Sequence, residues 1–390
     1  MTTQLLDVDQ LLKDESIHIL VCCGSGGVGK TTTAAALGVR AAELGRHVVV
    51  LTIDPARRLA QSLGLTSLDN EPRLVAGVGD ATTGGSLRAM MLDMKRTFDE
   101  IVESHADPER AETIFANPFY QALSTSFAGT QEYMAMEKLG QLHARLGHDN
   151  DWDLVIVDTP PSRSALDFLD APRRLGSFLD GRLMRLLAAP ARAGGRLSVR
   201  VVNAGFGFFS GVLTRILGAQ VLRDIQGFVG AFDALFSDFR VRAEATFDLL
   251  QSGETAFVVV ATPEPDALRE ASYFVERLDK EQMPLAGLVL NRVQPAVAID
   301  LTAEAAVAAA QRLEARGRAH SLTASLLRLH ADAVALRERQ RHLSERFTAA
   351  HRHVPVVAVA ALAEDVHDLD SLREIGELLR TGDDLVHSPA

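Results

Sequence analysis

The chain has 390 residues, 47% hydrophobic and 23% charged, the usage of an ordinary globular protein and not of a disordered, collagen-like or disulfide-built one. Forty basic against 51 acidic residues leave a formal net charge of -11, which argues against nucleic acid or an anionic membrane surface as the main partner. The two cysteines, Cys22 and Cys23, are adjacent, so no spaced Cys/His set exists for a structural zinc, an iron–sulfur cluster or a disulfide framework.

The N-terminal MTTQLLDVDQLLKDES is acidic and lacks the basic-then-apolar order of a secretory signal. No apolar run approaches ~18 residues, so a cytoplasmic protein is expected. The first aliphatic run, 17–23, has no polar alternation and reads as a strand buried on both faces. It enters Gly24-Ser25-Gly26-Gly27-Val28-Gly29-Lys30-Thr31, and the helix TTTAAALGVRAAELG follows: the strand, loop and helix context of a Walker A phosphate loop. Glycines let the backbone turn its amides inward, and the stretch Gly26, Gly27, Val28, Gly29, Lys30, Thr31 and Thr32 is the expected cradle for the β- and γ-phosphates of ATP. Lys30, one of only five lysines, supplies the point charge bridging them. The Thr31 hydroxyl is the expected Mg2+ ligand, because that hard ion takes oxygen donors. The plain alternative is a tight βα turn.

Residues 47–53 form the next predicted strand. Asp54 ends it and heads DPARRL, where it either positions an attacking water or serves, with Pro55, as the N-cap and first-turn pair of an ordinary helix. A short strand at 87–92 precedes a predicted helical insertion over about 93–150. Residues 154–157 are strand again. Asp158 closes it before TPP breaks the chain, which suits a carboxylate that accepts from Mg2+-bound water, the Walker B role.

A second helical insertion, about 165–252, is interrupted at 189–195 and 204–211, and ten of the 17 Phe fall within 168–247. Strands are then predicted at 256–261 and 285–290. Asn291 follows, either reading the N6/N7 edge of adenine with its amide or simply turning the chain at a strand end. The third insertion, about 299–352, opens Ala-rich and continues as an amphipathic segment with Leu322, Leu326, Leu329, Val334, Leu336 and Leu343, and a strand at 354–358 closes the series. Buried strands alternating with helices predict a doubly wound, mostly parallel α/β sheet of the P-loop NTPase kind with a helical subdomain inserted, one discontinuous domain over 1–390.

On these motifs the chain resembles the ArsA-type ATPases, the family of arsenite-pump ATPases and tail-anchored-protein targeting factors with a deviant Walker A loop. The phosphate loop is matched at Gly24 to Thr31. The first switch (DPAHSL in relatives) is matched by DPARRL from Asp54, and the second (DTAPTGH) by DTPPSRS from Asp158. The resemblance implies a Mg2+-dependent ATPase in which Asp54 and Lys30 are catalytic, Asn291 reads the base, and Thr31 and, through water, Asp158 hold the metal. It further implies a nucleotide-switched dimer that couples hydrolysis to movement of the helical subdomain.

Departures from the family's pattern alter these expectations. Relatives carry a signature Lys where Ser25 stands, so a cation must come from a partner subunit or locally from Arg57, Arg58 or Arg163, or turnover is slow; a weakly active subunit of a heterodimer is one alternative. Arg163 and Ser164 replace a Gly and a His in the second switch. With no Cys near the third insertion, neither the zinc-bridged dimer nor the arsenite thiols of relatives have a counterpart. The Phe-rich insertion lies where targeting factors take up clients. It reads either as an adaptable surface for a hydrophobic helix of a membrane protein, which makes a nucleotide-regulated chaperone the other alternative, or as its own core.

Overall fold

A computed structural model describes residues 4–54, 58–79, 84–117, 120, 121, 124, 130–147, 152–160, 241–295, 301–383 and 385. The aliphatic runs become strands: β1 (Ile19–Gly24), β2 (His47–Thr52), β3 (Arg73–Leu74), β4 (Ser86–Met91), β5 (Leu154–Asp158), β6 (Thr255–Ala261), β7 (Leu285–Val293) and β8 (Val356–Ala360). They form one sheet in the order β3-β4-β2-β5-β1-β6-β7-β8. All neighbours run parallel except the two-residue edge strand β3, which is antiparallel to β4. Every residue of β1, β5 and β6 is buried, as strands covered on both faces require.

Helices α1 (Val8–Lys13), α2 (Lys30–Glu43) and α3 (Arg58–Ser62) belong to the first half of the sheet. In α2 the buried face is largely alanine, Ala34, Ala35, Ala36, Ala41 and Ala42, whose small side chains let the helix lie close on the strands. By internal contacts the chain divides into one unit of residues 1–91, 145–165 and 250–390, which holds the sheet, and another of 92–144 and 166–249. The described part of the second unit is helical: α4 (Met94–His105), α5 (Pro108–Phe115), α6 (Thr130–Ala144) and residues 241–249. Within it Tyr120 donates to Asp99 at 2.6 Å, and buried Lys138 is set 3.2 Å from Glu100. The Phe-rich stretch up to residue 240 and both expected interruptions lie outside the described residues.

The sheet unit also contains α7 (Pro265–Lys280), α8 (Ala303–Ala315), α9 (Ser321–Ala350) and α10 (Leu369–Thr381). In the third insertion the predicted helices form, and the inward face is alanine: Ala306, Ala310, Ala324 and Ala331 are buried, while Leu322, Leu326 and Leu329 are 73%, 57% and 65% exposed. Two helices approach closely through methyl groups, and the leucine side of the amphipathic segment is left outward.

Arg46, immediately before β2, ties the amino-terminal edge of this sheet. Nε donates to Asp153 Oδ1 at 2.5 Å, Nη1 to the carbonyls of Leu12 and Asp14, and Nη2 to those of Ile17 and Asp153. All five guanidinium hydrogens are used, and the residue is 6% exposed. A lysine has three donors and no planar fork, so Arg46→Lys is expected to lower the unfolding free energy by roughly 2–4 kcal/mol in chemical denaturation while the far strand ends keep their ligand affinity. An unchanged denaturation midpoint would contradict this role.

Candidate nucleotide site

From β1 the chain winds to β2 and β4 on one side and to β6, β7 and β8 on the other. The carboxyl ends of these strands therefore converge around the Gly24–Thr31 turn, the crevice where open α/β sheets take ligands. At its start α2 has Gly29 as N-cap (φ 94°) and no side-chain cap, whereas α1, α4, α8 and α10 are capped by Asp7, Asp93, Thr302 and Asp368. Its first-turn amides are available to an anion. A Cβ on Gly27 would meet nothing within 4 Å, so the loop fronts open space; one on Gly29 would stand 2.3 Å from Asn291 Nδ2. Only glycine fits there.

Lys30 is 7% exposed and its ammonium donates to the Ser25 carbonyl at 2.9 Å. Burial lowers its pKa, and the negative charge of Asp158 opposes the shift. Asp158 is fully buried. Its Oδ2 accepts from both Thr31 Oγ1 and Thr52 Oγ1 at 2.8 Å, while Oδ1 has no hydrogen-bond partner. Burial pushes this carboxyl up to about 6 against the pull of the two hydroxyls and Lys30. An orphaned carboxylate oxygen beside a threonine hydroxyl is a hard-oxygen donor set, which fits Mg2+ with phosphate oxygens and water as its remaining ligands.

Thr52 is a partner that sequence reasoning missed. It also receives the Asp54 backbone N–H at 3.2 Å, linking the ends of β2 and β5. Asp54 is half-buried at that junction. Pro55, Ala56 and Arg57, and the second switch from residue 161 with Arg163 and Ser164, lie outside the described residues.

Asn291 is 8% exposed, with Nδ2 donating to Val28 O at 2.9 Å and Oδ1 accepting from the Arg292 N–H at 2.9 Å. Each bond uses one of two capacities on each atom, so the edge that could read a base is only half engaged. Arg292, not weighed in the sequence, donates Nη1 to Gly27 O at 3.0 Å. Asn291, Arg292, Thr31 and Thr32 open onto a cavity of 430 Å³ closed by Leu362, Glu364, Asp365 and Val366 after β8, a size that suits a nucleoside. The strand-end rule points to that last loop, although no motif marks it. Cys22 and Cys23 are buried as expected, and burial raises both thiols, Cys23 to about 12, so neither is a nucleophile at neutral pH.

Known proteins resemble this chain over most of its length. The sequence model of the anion-transporting ATPase family matches residues 17–316. ATPase GET3 of Podospora anserina is 25% identical over 288 residues, covering 73% of this chain and 76% of that protein. ATPase get3 of Schizosaccharomyces pombe is 26% identical over 287 residues, 73% and 76% of the two chains. The ATPase ASNA1 homolog of Dictyostelium discoideum is 23% identical over 286 residues, 73% and 75% of the two chains.

A carboxyl whose pKa is raised on folding binds its proton more tightly folded than unfolded. The protein therefore loses stability as pH climbs from the ordinary 3.8 through about 6. Asp158→Asn removes that cost. In chelator-treated protein the variant's stability relative to the parent is expected to grow by up to about 3 kcal/mol between pH 4 and pH 7, read from denaturant midpoints. A difference that stays flat over that range would show that Asp158 is not held as a buried charge.

Proposed function

The chain belongs to the anion-transporting ATPase family and is an ATPase, and from that premise we propose that it hydrolyses Mg2+-bound ATP at the Gly24–Thr31 loop. The observation that supports this most strongly is the buried junction in which Thr31 and Thr52 donate to one oxygen of Asp158 and the other oxygen is unpartnered, with Lys30 alongside. Thr31 would hold Mg2+ directly and Asp158 through water. The ion would neutralise charge between phosphate oxygens.

The chain's own groups do the rest. Amides of Gly26 to Thr32 hold the β- and γ-phosphates, and the Lys30 ammonium bridges them. The Asp54 carboxylate orients the hydrolytic water and holds its proton, while Asn291 faces the base. Loss of the γ-phosphate would act through Asp54 and Asp158, and in a dimer of two such chains that change would move the helical unit.

A hydrophobic helix as client accords with the resemblance to targeting factors and with the Phe-rich composition of 168–247. No helix among the described residues is long and apolar enough to cross a membrane, and a cytoplasmic site of action fits the reading. Ser25 favours a second reading, a heterodimer whose other subunit contributes the missing cation. The Ser25 side chain carries no charge, and the ammonium its carbonyl holds is that of Lys30 in the same loop.

Two substitutions separate binding from hydrolysis. Asp54→Asn is expected to keep affinity for an ATP analogue within about threefold while hydrolysis falls by roughly 10²–10⁴, whereas Lys30→Ala should lose both. Parent-like phosphate release by Asp54→Asn would remove it from catalysis. Light scattering with and without Mg2+ and ATP, alone and with a lysine-bearing relative, reads the dimer: self-association driven by nucleotide alone excludes an obligate heterodimer.

A further inference from the structure

Successive side chains of a regular strand point to opposite faces, so a strand end does not ordinarily offer two adjacent side chains to one loop. β7 departs from this at its carboxyl end. Against β8 its register runs Leu290 with Ala358 and next Val293 with Ala360, three residues against two, which is a β-bulge. Within the bulge Arg292 holds φ 57°, a left-handed conformation that costs a side chain with a Cβ about 1 kcal/mol. As a result neighbouring residues reach neighbouring carbonyls of the phosphate loop: Asn291 Nδ2 donates to Val28 O at 2.9 Å and Arg292 Nη1 to Gly27 O at 3.0 Å.

A trans peptide unit is planar, and its C=O points opposite to the next residue's N–H. Holding Gly27 O and Val28 O toward β7 therefore turns the N–H groups of Val28 and Gly29 the other way. Amides crowded in one direction repel each other until an anion arrives, so the loop needs an outside hold to keep that form. Two donors from one bulge supply it, and the absent side chain of Gly29 leaves the room that Asn291 occupies.

We propose that Arg292 is a positioning residue that, with Asn291, clamps the phosphate loop in its anion-binding form before nucleotide arrives. The inference rests on reading the Gly24–Thr31 loop as the nucleotide site. It implies that affinity depends on a guanidinium bonded to the loop's back and not to the phosphates. A protein whose competent loop is only partly populated binds more weakly by that fraction, and the loss falls on association.

Arg292→Gly tests this without endangering the fold, since glycine adopts φ 57° freely; Arg292→Lys restores a cationic donor. The probes are Mg2+-tripolyphosphate and a non-hydrolysable ATP analogue by calorimetry, with stopped-flow association of a fluorescent analogue. Losing a charge-assisted hydrogen bond is expected to weaken both probes by the same factor, about tenfold, through slower association with dissociation unchanged, and Lys should recover most of it. Weaker ATP-analogue binding with tripolyphosphate unaffected would make Arg292 a base contact, and faster dissociation alone would make it a phosphate contact; either overturns the clamp, as does unchanged binding. A parent protein that binds neither probe would overturn the nucleotide reading itself, and the clamp with it.

Discussion

Peptide dipoles aligned toward one point are unfavourable until a negative charge meets them, and that constraint organises the strand ends of this sheet. β1 delivers a glycine loop, α2 begins without a side-chain cap, and a bulge in β7 braces the loop's carbonyls from behind. Each feature weakens the local structure relative to what a capped helix and a regular strand would give. Together they fit the proposed reading of this turn as one that phosphate completes.

The second tension is the buried carboxylate. Asp158 sits where water cannot solvate it, with one oxygen doubly hydrogen-bonded and the other unmatched, at a stability cost that an amide would avoid. Burial of Lys30 nearby works the same way in reverse, since desolvation lowers its pKa while the carboxylate holds its proton on. The two groups sustain each other's charge, and a hard cation among phosphate oxygens would complete the balance. At the opposite edge Arg46 satisfies every donor it has, so that end of the sheet is fixed while the ligand end stays incomplete.

Much of this was legible in the residues, because its signals are local. Unbroken aliphatic runs specify strands buried on both faces, and all seven predicted strands appear within a few residues of their expected bounds. Lys30, Thr31, Asp158 and Asn291 meet at the loop because each ends or follows a central parallel strand. What was not legible depends on register and packing. Thr52 looks like any β-branched strand residue, and nothing in its sequence says that its hydroxyl reaches Asp158. Arg292 could be read only as a residue after Asn291, since a bulge is set by pairing with β8. The Leu stripe of α9 marks an amphipathic helix by pattern, and which side faces inward was set by alanine packing. β3 has two exposed residues and no pattern to find.

Main-chain amides and one ammonium receiving a triphosphate underlie every role proposed for this chain. Titrating the intact chain calorimetrically with a non-hydrolysable ATP analogue in Mg2+ tests this most directly. One saturable site per chain, lost when the metal is chelated and when Lys30 is truncated, is the expected result. A well-folded preparation that shows no binding heat at any analogue concentration would contradict it.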